Sequence, residues 1–107
     1  MPTFNKSIPC SRRVVIYAIF DVLDSLQSNY KQKLTGDITA SITVLGKTSN
    51  FAFAVTEQSE NSSILHIKIL RPAESLTIKE QNLAIRYLGD SILHHIDETQ
   101  NPAFGAW

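Results

Sequence analysis

The stretch Asp37–Arg71, DITASITVLGKTSNFAFAVTEQSENSSILHIKILR, decides the fold. Ile38, Ala40, Ile42 and Val44 alternate with Thr39, Ser41 and Thr43, a period of two that puts the apolar set on one side of a pleated strand. Phe51, Phe53 and Val55 alternate with Ala52 and Ala54, and Leu65, Ile67 and Ile69 with His66 and Lys68. Gly46–Asn50 reads as a turn, Glu57–Ser63 as a polar loop at a hairpin end, and Pro72 as the stop of the third run. Three consecutive strands are predicted, each with one apolar face.

A helical period flanks them on either side. From Arg12 to about Tyr30, the residues Val15, Ile19, Val22, Leu23, Leu26 and Tyr30 share a stripe, with Tyr17, Asp21, Asp24 and Ser28 opposite. Pro9 and Ser11 are start signals for this helix. Thr77-Ile78-Lys79-Glu80 has the Thr-x-x-Glu form of a capping box. The second helix it opens has the core stripe Ile78, Ala84, Ile85, Leu88, Ile92 and Ile96, and frays by Asn101, ahead of Pro102. Gly89, near that stripe, allows close approach of another element. The fold predicted is a single α+β domain over residues 1–107: a two-layer α-β-β-β-α arrangement, its three-stranded antiparallel meander carrying both helices packed on one face. Residues 1–8 read as a loose N-terminal arm and 101–107 as a short C-terminal tail. The first and third strands would then be open edges.

A chain of 107 residues with 43% hydrophobic content is one domain, able to bury roughly two-thirds of its unfolded surface without disulfides or a structural metal. Ten basic side chains balance ten acidic ones, which gives no long-range attraction for nucleic acid or anionic membrane. Cys10 is the single cysteine, so no internal disulfide forms and no oxidising compartment is needed. The apolar run Val14–Phe20 is followed at once by Asp21 and is too short to cross a bilayer. A cytoplasmic protein is expected.

No motif commits the chain to a chemistry. Gly46-Lys47-Thr48 resembles the end of a phosphate-binding loop, but Ser41 stands where that motif needs glycine, and a strand follows instead of a helix. Asp90, His94 and Glu98, four residues apart, form one stripe of the second helix that could begin a metal or acid–base site; a solvated face explains them as well. His95 reads as a packed histidine with one hydrogen bond. Cys10, near a helix start with Arg12 and Arg13 close by, has an environment that would favour a thiolate, although no resolving cysteine exists. No catalytic residues, cofactor or metal are assigned.

Two surfaces remain for interaction. Leu83 and Tyr87 stand at i, i+4 on the second helix away from the core, beside Asp90 and His94, and Tyr17 stands out on the first helix. The other surface is the outer sheet face with Thr39, Ser41 and Thr43, together with Ala52, Ala54, His66 and Lys68. The expected function is a non-enzymatic binding or assembly module acting through protein–protein contacts, with a protein partner or a second copy of the chain. One alternative is a double-stranded-RNA-binding-like domain, an analogy of element order that lacks the basic footprint such domains use. The other is a small enzyme or metal-binding protein using His94. Neither nucleic acid nor a membrane is an expected partner.

Overall fold

The computed structural model describes residues 2–33, 36–44 and 46–100. Its elements follow in the order β1 (Thr3–Ile8), α1 (Arg12–Ser25), β2 (Asn29–Gln32), β3 (Ile38–Val44), β4 (Lys47–Ser59), β5 (Ser62–Arg71) and α2 (Ile78–Gln100). The strands form one antiparallel sheet ordered β1-β5-β4-β3-β2. The three strands predicted from alternation are its centre, and the class is α+β. The three-stranded meander, however, is only the middle of a five-stranded sheet.

Both missed strands lie at edges. Residues 1–8 were expected to form a loose arm; instead β1 pairs with Ser63–Lys68 of β5. It turns Phe4 and Ile8 towards the helices, with Lys6 between them on the same side, exposed at the sheet margin. One lysine in a three-residue apolar set hides the period. β2 contributes just one inward aromatic, Tyr30, and pairs with Ile38–Ser41 of β3. The edges expected on β3 and β5 are therefore covered in part: β1 reaches only to Lys68, which leaves Ile69–Arg71 at the end of β5 with β4 as their one neighbour among the described residues. Ile42–Val44 pair with β4 alone among the described residues.

α1 stops at Ser25, short of the expected Tyr30. Leu26 caps it, Gln27 takes a left-handed conformation (φ 54°), and the Ser28 N–H donates to the Leu23 carbonyl at 3.1 Å. The chain then reverses into β2. Tyr30 keeps its place over the helix from the strand: its ring lies 5.4 Å from that of Phe20 and its hydroxyl donates to Asp24 Oδ1 at 2.7 Å. Leu26 to Tyr30 is an i, i+4 step, so the sequence stripe continued smoothly through a turn. The polar run Glu57–Ser63 is likewise strand more than loop, because β4 and β5 stay paired out to Ser59 and Ser62.

Both helices cover the same sheet face, and the core between them is filled. Ile38, Ile42, Phe51, Phe53, Leu65, Ile67 and Ile69 from the sheet meet Val15, Ile19 and Leu23 of α1 and Ala84, Ile85, Leu88, Ile92 and Ile96 of α2, all buried. Ile78, expected in that stripe, is 64% exposed, because the first turn of α2 overshoots the core. The caps form as predicted. Ser11 Oγ accepts from the Val14 N–H, the Thr77 N–H donates to Glu80 Oε1 at 3.0 Å, and the Glu80 N–H to Thr77 Oγ1 at 3.1 Å. The buried polar side chains are paired: Ser63 Oγ donates to the Cys10 carbonyl, Ser49 Oγ accepts from the Ala73 N–H, and Gln81 Nε2 donates to the Leu76 carbonyl. No described helix is long and apolar enough to cross a membrane. The expected tail, 101–107, lies outside the described residues.

Gly89 is where α2 meets β1. A Cβ there would fall 2.6 Å from the Phe4 ring, so Gly89→Ala should destabilise the fold by about 1–3 kcal/mol of overpacking, offset in part by about 1 kcal/mol of helix propensity. In a Phe4→Ala background the clash is gone and the same substitution should become stabilising. Urea unfolding of the four-protein cycle measures both signs.

The capping box makes a second prediction. The Thr77 N–H bond, then the Thr77 hydroxyl and Lys47, hold the Glu80 carboxyl below its usual value. A carboxyl depressed by folding adds stability that is present above its unfolded value and is lost as pH falls through the folded one. The gap in Tm between wild type and Glu80→Gln should therefore be widest near neutrality and close as pH falls through and below the usual carboxylate range.

Candidate interaction surface

The helical period that buries Ala84, Ile85 and Leu88 turns Leu83 and Tyr87 outward. They are 51% and 49% exposed. Two elements converge on them. Leu26, at the C-cap of α1, and Thr43 with Val44, at the end of β3, complete an open groove of about 500 Å³ with Leu83 and Tyr87. Lys47, at the start of β4, fixes one wall. Its Nζ donates to the Ser75 carbonyl at 2.9 Å and lies 3.4 Å from Glu80 Oε1, tying the β3–β4 hairpin to the first turn of α2. The lysine of the Gly-Lys-Thr run is thus a strut between hairpin and helix.

A trough continues from this groove along the seam of the two helices. It is lined by Asp21, Ser25, Ser91, His94, His95 and Glu98, and shares Leu26 and Tyr87 with the groove. His95 Nε2 lies 2.9 Å from Asp21 Oδ2 and so links α2 to α1, a partly buried histidine with the one hydrogen bond expected of it. His94 Nε2 lies 2.9 Å from Glu98 Oε1 within α2. Of the Asp90, His94, Glu98 stripe, only the last two meet. Both are largely exposed, and no three His, Cys, Asp or Glu among the described residues are grouped to hold a metal.

The remaining expected site residues are elsewhere. Tyr17 stands alone on α1, with Arg13 Nε donating to its hydroxyl at 3.2 Å. Thr39, Ser41 and Thr43 lie on the outer sheet face as predicted. Ser41 Oγ donates to Asn50 Oδ1 at 2.8 Å and the Thr43 and Thr48 hydroxyls are 2.7 Å apart. His66 joins them on this face, 2.6 Å from Asn5 Oδ1 and 3.1 Å from Thr56 Oγ1. The face is a ladder of polar cross-strand pairs. Thr43 alone belongs to both surfaces. Sequence reasoning missed Leu26 and Val44, which it counted as core; both are only half-buried because their strand and helix end at the groove.

Cys10 departs from the expected thiolate. Arg12 Nε donates to the Val55 carbonyl at 3.0 Å, away from the sulfur. Burial, and then the carboxylate of Asp97, push the Cys10 thiol above its ordinary value. Disulfide exchange with an aromatic disulfide reagent should therefore be slow at neutral pH and rise only at strongly alkaline pH. Asp97→Asn should increase the neutral-pH rate, with a rate matching that of a free thiol in wild type counting against this environment.

Neither a protein-family model nor a curated protein matches the chain. Solved structures do. The chain is similar to the di-domain ARO/CYC StfQ from the steffimycin biosynthetic pathway, with a TM-score of 0.64 at 6% identity over 96% of this chain. It spans 47% of that protein's length. An uncharacterised protein from Bacillus thuringiensis (TM-score 0.47, 13% identity, 91% of this chain and 96% of that one) and XoxI from Bacillus cereus (TM-score 0.48, 14% identity, 92% and 95%) resemble it more loosely. At 6% identity, what this chain shares with StfQ is the fold.

Proposed function

We propose that the chain is a small protein-binding and assembly module whose contact surface is the groove of Leu26, Val44, Leu83 and Tyr87. The observation that carries this reading is the half-exposed Leu83–Tyr87 pair, framed by apolar residues from two other elements. A contiguous apolar patch costs solvation free energy that a scattered residue does not, and aromatic residues are favoured where such patches meet a partner. The groups with chemical potential are engaged structurally instead: Lys47 with Glu80, His95 with Asp21, and Cys10 with its thiol held protonated. The interior between helices and sheet is occupied by Phe51, Phe53, Leu65, Leu88 and Ile92, and at 6% identity the likeness to StfQ carries the fold alone. A cytoplasmic location goes with this reading, since the one cysteine forms no internal cross-link.

A photo-crosslinking residue placed at 83 or 87 in the full chain should capture a partner in the cells that make it, and one at Glu60 on the far hairpin should not. Equal capture from all three positions would sink the reading. Sedimentation over a concentration series separates the two kinds of partner. If the partner is a second copy, wild type should self-associate and Leu83→Asp should be monomeric at every concentration.

A further inference from the structure

The groove and the trough differ in chemistry, and together they specify an occupant. From Val14 to Tyr30 and from Leu83 to Gln100, the two segments beside the helix seam hold five carboxylates, Asp21, Asp24, Asp90, Asp97 and Glu98, against one cation, Arg86 at the apolar end. Asp90 shares its helix stripe with Leu83, Tyr87 and His94. Asp21 and Glu98 line the trough, and each meets its histidine through a single carboxylate oxygen. One end of the track is therefore apolar and the other negative.

Resting on the binding role proposed above, we infer that the seam takes an extended cationic–apolar peptide segment of a partner protein, its apolar side chains between Leu26, Val44, Leu83 and Tyr87 and its lysines or arginines along Asp21, Asp90 and Glu98. The charge complementarity selects this occupant. An anionic membrane or a nucleic acid brings the same sign of charge to the trough and is repelled from it. Leu83 to Glu98 spans four helical turns, about 22 Å at 1.5 Å per residue, the reach of roughly seven extended residues. The backbone adds a reason for an extended form. Ile42–Val44 pair only with β4 among the described residues, and Thr43 and Val44 line the groove. A segment lying there can add hydrogen bonds on the lane that β2 leaves free.

The test is a fluorescence-anisotropy titration of the full chain against three synthetic peptides of equal length. One has leucine and phenylalanine at one end and lysines at the other; the second replaces the lysines by glutamates; the third replaces the apolar residues by serines. The first should bind and the other two should not, and raising salt from about 50 to about 500 mM should weaken the first markedly. Asp90→Asn and Glu98→Gln, both exposed and outside the core, should each weaken it by about two- to five-fold, and Leu83→Asp should abolish it.

Equal binding of the lysine and glutamate peptides would overturn the inference and leave the groove itself as the binding site. No binding of the first peptide up to about 1 mM, with cross-linking from positions 83 and 87 intact, would overturn the inference alone. Loss of that cross-linking as well would remove the binding role beneath it.

Discussion

Everything in this fold depends on one requirement, that the inward face of β4 be covered. Phe51 and Phe53 lie at the middle of the sheet, flanked by Ile38 and Ile42 of β3 and by Leu65, Ile67 and Ile69 of β5. Leaving that face in water would forgo the largest favourable free energy the chain has, at about 1.5–3 kcal/mol for each large apolar side chain buried. One helix is too narrow to cover it. α1 lies over β4 and β5, α2 over β5 and β1, and the seam where they meet follows from needing two.

The parts of the structure legible in the sequence are those where burial is one-sided and sustained. β3, β4 and β5 each bury alternate residues over enough length to show the period, and the Thr77–Glu80 box names the start of α2 without reference to anything distant. The edge strands were not legible because an edge has one neighbour and little core to fill. Asn29–Gln32 buries no residue fully, and Thr3–Ile8 only Ile8. The α1–β2 turn was hidden for a different reason. Tyr30 returns to the same apolar surface from a strand that it would have reached from a helix.

The candidate site was half legible. Leu83 and Tyr87 stood out because helix geometry alone puts them opposite the core. Their companions did not, since Leu26 and Val44 fit the core pattern of their own elements and are uncovered only because those elements end there. Exposure at the end of an element is a tertiary fact: it depends on where neighbours stop, and no local spacing encodes it. The same holds for Lys47, whose role is set by the helix that happens to start beside it.

The pairing of β1 with β5 joins the two ends of the strand order in sequence: Thr3 faces Lys68 across the sheet. During synthesis β1 is made well before β5, and this pairing cannot form until β5 has left the ribosome. At about 5–20 residues per second, that is a wait of seconds. The central hairpins are local and can form sooner. β1 is then among the last of these strands to settle, and until it does, the flank of β5 stays open to any other extended chain that reaches it.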